Sequence, residues 1–208
     1  MVGDVAALAQ QRQAGSDLNA NIGDRYHKGY TAAHYAAHYG QAAVLQFLHE
    51  AGANLNVTDN RGATPALLAA ELRNTEALET LAKAGADLQK AETNQGRTPA
   101  HMAARNGDVD ALRVLIQAGV NLNARDYDGC APADDAVGDE EALKLILEAG
   151  GIISLKGAAV LGDVAALAQH RQAGERQAGS DLNADIGDSF HKGWTERTMP
   201  RITAKRPH

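Results

Sequence analysis

The sequence predicts an all-α fold, a solenoid of helix-turn-helix units stacked in one direction with short finger loops projecting from one edge. Three observations carry that prediction. First, three segments superpose without gaps over their helical parts: GYTAAHYAAHYGQAAVLQFLHEAGANLN from Gly29, GATPALLAAELRNTEALETLAKAGADLQ from Gly62 and GRTPAHMAARNGDVDALRVLIQAGVNLN from Gly96. Their starts are 33 and 34 residues apart, a period that marks a repeat architecture. Second, each segment pairs two small residues with a later apolar stripe at helical spacing. Third, a glycine closes each unit where a left-handed helix end is expected.

The elements follow in order. Residues 1–28 read as a partial N-terminal repeat and a long finger, because GDVAALAQQRQAGSDLN at 3–19 is a second helix and its exit with no first helix before it. Residues 29–150 hold four units. Thr64 and Thr98 are placed to cap first helices whose Pro65 and Pro99 take the first helical position, where a missing N–H costs nothing. The pairs Ala36 and Ala37, Ala69 and Ala70, and Ala103 and Ala104 let neighbouring first helices approach closely. Val44, Leu45, Phe47 and Leu48, or Leu112, Val114, Leu115 and Ile116, give the stripe of a second helix. Gly15, Gly52, Gly85, Gly119 and Gly150 follow the second helices. The fourth unit, GCAPADDAVGDEEALKLILEAGG from Gly129, is two residues short between its helices.

Past Gly150 the opening words return. Residues 151–194 form a further repeat that duplicates the N-terminus: GDVAALAQHRQAG from Gly162, a stutter ERQAG, then SDLNADIGDSFHKGW from Ser180. LKGAAVLG at 155–162 fits the first helix that the first copy lacks, and the chain before it is too short for a finger, so a tight helix-to-helix turn is expected. Residues 195–208 fit no repeat. Permitted codons for Thr198 to Pro207, read one base out of frame, spell HYAAHYGQAA, the sequence at 34–43. A one-base deletion near Thr195 explains this tail, which is expected to be disordered.

TPAH at 98–101, the paired alanines after it and the closing A-G resemble the ankyrin repeat, in register, over most of residues 3–183. That resemblance implies non-catalytic recognition of another protein. It also implies that His34 and His101, at the motif histidine, bond neighbouring loop backbone and stiffen the finger. In that family the finger tips and the outer end of the first helix line a concave binding surface. Carried over by position, this selects His27, Lys28, Tyr30, His38 and Tyr39 in the first full unit. The second offers Asn60, Arg61, Ala63, Glu71 and Leu72; the third, Asn94, Gln95, Arg97, Arg105 and Asn106; the fourth, Tyr127, Asp128 and Cys130. Four of the five tyrosines, Tyr26, Tyr30, Tyr35 and Tyr39, fall within fourteen residues beside His27, His34 and His38. Tyrosine is a frequent anchor of binding energy, so Tyr30 and Tyr39 are expected on the surface and Tyr35 partly in the core between units.

Composition narrows the function classes. Net charge is −6, and residues 195–208 carry Arg197, Arg201, Lys205 and Arg206 against Glu196, a net +3, so residues 1–194 carry −9. An acidic body argues against nucleic acid and anionic membranes as partners. With the single cysteine Cys130 no intramolecular disulfide forms, and the N-terminus lacks a basic stretch before an apolar core, so a cytoplasmic protein without a signal peptide is expected. His34 and His38, with His27 before them, lack a third fixed ligand, so no metal is assigned. Asp134, Asp135, Asp139, Glu140 and Glu141 lack the ligand pattern of a calcium loop and read as a solvated helix start, with Asp134 in the motif-histidine place loosening the fourth unit. No nucleophile and base, phosphate loop or carboxylate pair rises above background, so no enzyme activity and no cofactor are expected, and Cys130 reads as an unreactive thiol. Two narrower readings stay open: a bacterial immunity or inhibitor protein, and a truncated gene remnant. A monomer is expected, because the helix at 155–161 is covalently adjacent to a second helix of its own, with weak end-to-end association through the unpaired N-terminal end.

Overall fold

The structure, a computed structural model, describes residues 5–13 and 15–162. The described elements are helices throughout: α1 (Val5–Gln13), α2 (Ala32–His38), α3 (Ala42–Glu50), α4 (Pro65–Glu71), α5 (Thr75–Lys83), α6 (Pro99–Arg105), α7 (Val109–Gln117), α8 (Pro132–Asp135), α9 (Glu140–Glu148) and α10 (Leu155–Leu161). They form two layers. The inner helices α2, α4, α6, α8 and α10 each pack on the next, and the outer helices α1, α3, α5, α7 and α9 do the same behind them. The repeat at 163–194 and the tail at 195–208 lie outside the described residues.

Local chemistry starts and stops each helix. The Thr64 hydroxyl accepts the Leu67 N–H at 3.2 Å with Pro65 at the first helical position. Asp108 and Asp139 cap outer helices by accepting the N–H of Ala111 (3.1 Å) and Ala142 (2.9 Å). The five glycines expected to end outer helices all have positive φ, from 71° at Gly119 to 90° at Gly150. Between the layers, Leu45 and Leu48, Leu78 and Leu81, Leu112 and Leu115, and Ile146 are fully buried. Each such side chain contributes about 1.5–3 kcal/mol by leaving water. The alanine pairs of α2, α4 and α6 are also buried, which brings successive inner helices into close contact.

The fourth unit departs from expectation. Its inner helix α8 has only four residues, as the two-residue shortfall requires. Asp134 does not loosen the unit. Its Oδ2 accepts the Ala131 N–H at 2.8 Å, and its Oδ1 accepts the Ser154 N–H at 2.9 Å and the Ser154 hydroxyl at 2.8 Å, tying α8 to the start of α10. Asp134 and Asp135 are half-buried in α8, whereas Asp139 caps α9 and Glu140 and Glu141 are exposed in its first turn, so the expected solvated helix start holds for the second part of the acidic cluster and not for the first. The chain from α9 to α10 makes the expected tight connection, and Ser154 then caps α10 by accepting the Gly157 N–H at 3.2 Å. A glycine suits position 157, because a Cβ there would crowd the Asp134 carboxylate and the Ile153 side chain and force them to shift.

Candidate functional site

Each finger is folded around one acidic side chain. Asp24 Oδ1 accepts the N–H groups of Tyr26 (2.7 Å) and His27 (2.9 Å). Asp59 Oδ1 accepts those of Arg61 and Ala63, both at 2.8 Å. Glu92 takes Asn94 and Gln95 at 2.6 Å each, and Asp126 takes Asp128 at 3.0 Å and Cys130 at 2.8 Å. A charged acceptor makes these bonds stronger than neutral ones, so the loops keep a fixed shape. The signal was present as an acidic residue three to five places before each finger glycine, at 24, 59, 92 and 126, but the sequence reading passed over it.

The motif histidines lock one finger to the next. His34 Nδ1 accepts the Thr31 N–H at 3.1 Å and lies 2.9 Å from the Thr31 hydroxyl, which leaves Nε2 to donate to the Ala63 carbonyl at 3.1 Å. His101 repeats the arrangement with Thr98 and the Cys130 carbonyl, as expected. Burial pushes the His34 pKa below the ordinary histidine value. In the second unit Leu67 stands in this place and has no polar atom to offer the next finger.

The aromatic cluster corrects one expectation. Tyr30, expected on the surface, is only 5% exposed. It immediately precedes the Thr31 cap, so its ring folds under the finger, stacks on His34 (5.3 Å between centroids) and packs against His27 (4.9 Å) and Tyr35 (5.2 Å). Burial pushes its phenol pKa up. Tyr35 is half-buried, as expected, and Tyr39 stacks on it at 6.4 Å while staying 57% exposed. His38 lies between His27 (5.3 Å) and Tyr39 (4.8 Å), and burial, with His27 beside it, lowers its pKa.

Two cavities on the finger side of the inner helices gather most of the selected residues. One, of about 410 Å³, is lined by Lys28, Tyr30, His38, Asn60, Arg61, Glu71 and Leu72, with Tyr26, Asp59 and Leu68. The other, of about 670 Å³, is lined by Arg61, Glu71, Asn94, Gln95, Arg97, Arg105 and Asn106, with Ala63, Leu67, Glu92 and Met102. Arg61 and Glu71 belong to both and pair at 3.4 Å, so the two cavities adjoin at that pair. Two of these residues are committed to the framework. Arg97 is largely buried and pairs with Asp126 at 3.6 Å, and Asn106 donates its amide to the carbonyls of Ala70 (3.1 Å) and Glu71 (2.9 Å).

The remaining selections fall elsewhere. His27 and Tyr39 line neither cavity. The Tyr127 ring lies against Gly96, where a Cβ would come within 2.6 Å of it. Asp128 lines a separate cavity of about 320 Å³ with Cys130 and Lys156. Cys130 is half-buried, and burial raises its thiol pKa although Lys156 Nζ sits 3.9 Å from Sγ and acts the other way. Among the described residues no group of three His, Cys, Asp or Glu side chains is placed to hold a metal ion, and no helix is long and apolar enough to cross a membrane.

A family model for ankyrin repeats, spanning three copies, matches residues 5–92 and 88–156. The chain belongs to the ankyrin-repeat family. No curated protein matches it significantly. As an ankyrin-repeat protein it shares an all-helical framework whose members generally mediate protein–protein interaction and are typically non-catalytic. The histidine locks and the acid-centred fingers are the local means by which this sequence holds that framework.

Proposed function

We infer that this ankyrin-repeat protein is a non-catalytic module that binds a protein partner in the groove between its fingers and inner helices. The observation that carries this reading is the Arg61–Glu71 pair shared by two adjoining cavities, which sets the selected residues of the first, second and third full units side by side. Its floor is the inner layer and its walls are loops with their backbone N–H groups already held by carboxylates, buried at Asp59 and Glu92 and exposed at Asp24, so a partner meets a preorganised surface. Lys28, His38, Asn60, Arg61, Glu71, Leu72, Asn94, Gln95 and Arg105 supply the contacts. The acidic body and the single cysteine support a cytoplasmic setting and a protein, not a nucleic acid, as the partner.

Photo-crosslinking tests this. A photoreactive side chain placed at Asn60 or Asn94, in the groove, is expected to capture one partner species that the same group at Gln46 or Lys144, on outer helices, does not. Arg61→Glu should abolish that capture without changing the circular dichroism spectrum. Equal capture from both faces, or capture indifferent to Arg61→Glu, overturns the groove as the site.

A further inference from the structure

Charge is spread unevenly over the two faces of the stack. The outer helices α3, α5, α7 and α9 carry seven acidic residues against Lys83, Arg113 and Lys144. The two adjoining cavities on the other face are lined by Lys28, Arg61, Arg97 and Arg105 against Asp59, Glu71 and Glu92. Two of those three acids are spent inward. Asp59, 6% exposed, holds the N–H groups of Arg61 and Ala63 on one oxygen and sets the other 3.3 Å from Arg61 Nε. Glu92, also 6% exposed, gives its oxygens to the N–H groups of Asn94, Gln95 and Arg97. Of the three, Glu71 alone keeps its carboxylate partly open to solvent, and it meets Arg61 at 3.4 Å.

The cations are presented outward. Lys28 on the first finger and Arg105 at the end of α6 are exposed, and among the described residues neither has an ion-pair partner. Asp135 on α8 acts on Arg105 through space, but it is half-buried and its Oδ2 is closed to solvent. Arg97 lies beneath, 3.6 Å from Asp126, and its buried Nε–H has no acceptor. Between Lys28 and Arg105 the fingers add the exposed amides of Asn60, Asn94 and Gln95, each able to donate. We propose that the partner presents an acidic peptide segment whose carboxylates pair with Lys28 in one cavity and Arg105 in the other, on either side of the Arg61–Glu71 pair. The acidic outer face repels such a segment and the finger face receives it, so charge selects the face. This rests on the groove reading and adds the chemistry of the occupant.

Fluorescence anisotropy with the full-length chain tests the proposal, using a labelled peptide of alternating Glu and Ser, its Lys and Ser counterpart, and a single-stranded DNA oligomer. The Glu peptide should bind, the Lys peptide should not, and binding should weaken as salt rises, because the contacts are exposed ion pairs. Lys28→Glu and Arg105→Glu should each weaken it at least about fivefold, since reversal turns an attraction into a repulsion. Arg113→Glu and Lys144→Glu change the net charge equally on outer helices and should leave binding as it is. The neutral Lys28→Gln and Arg105→Gln should fall between, and an unchanged circular dichroism spectrum shows that each variant folds. A Glu peptide that does not bind, or equal losses from all four reversals, overturns the proposal. Binding of the DNA in preference to the Glu peptide overturns it as well and assigns the cations to nucleic acid. The groove reading fails separately: it stands where Asn60 or Asn94 still captures a protein partner although the Glu peptide does not bind, and falls where that capture is lost.

Discussion

Replacing His34 isolates the lock between the first and second full units. The ring is fully buried and joins Thr31 to the Ala63 carbonyl across 29 residues of sequence. Without it the buried Thr31 N–H loses its acceptor, which costs about 1–3 kcal/mol. The Ala63 carbonyl still accepts the Asp59 N–H at 2.9 Å, so it adds only the net value of one bond, about 0.5–1.5 kcal/mol. His34→Leu, which copies Leu67 and fills the space, should therefore cost about 1.5–4.5 kcal/mol, and His34→Ala more, because it also leaves a cavity against Tyr30. The sign of the pH dependence follows from the lowered pKa. Above the ordinary histidine pKa of about 6.5 both folded and unfolded states are neutral and the stability is fully present; as pH falls below it the unfolded chain takes the proton first, and stability is lost until the lower folded pKa is reached. Urea unfolding followed by far-UV circular dichroism, at several pH values from about 8 down to about 5, measures this. The gap between parent and His34→Leu should be widest at the upper end and narrow toward the acid end. A gap that is absent, or constant with pH, refutes the assignment of His34 as a neutral buried lock.

Two further perturbations follow from the framework. Asp126→Ala removes the acceptor of the Asp128 and Cys130 N–H groups and the partner of Arg97, and should cost about 2–4 kcal/mol; amide hydrogen exchange across residues 126–131 should rise while the second finger stays protected. Gly157→Ala puts a methyl group into the Asp134 carboxylate and should lower stability by about 1–3 kcal/mol, read as earlier unfolding of α8 and α10 in exchange measurements, whereas Gly138→Ala, which meets open space, should not.

The helices and locks were legible because their signals are local and recur. A threonine, a proline at the first helical position and a histidine three residues after the cap act within one turn, and the period repeats them. The site was harder to read. Tyr30 is chemically suited to an interface, yet its place just before Thr31 sends it inward, which only the three-dimensional path of the finger decides. Asn106 and Arg97 were selected for position alone, and their partners, Ala70, Glu71 and Asp126, sit in neighbouring units roughly one period away. Asp134 was read as a defect because its second partner, Ser154, belongs to the following unit.

Leucine at position 67 leaves one junction of the array without its histidine bond. The first finger contact is fastened by His34, the third by His101 and the fourth by the Asp134 carboxylate, while the second lacks such a bond from below and is held by Thr93, which donates to the Arg61 carbonyl, and by the Asn106 amide on Ala70 and Glu71. The larger part of the groove, which Leu67 itself lines, opens at that junction. There the wall beneath the finger is an apolar side chain where the neighbouring junctions present a bonded imidazole, so an apolar group of a partner reaching Leu67 would displace no hydrogen bond.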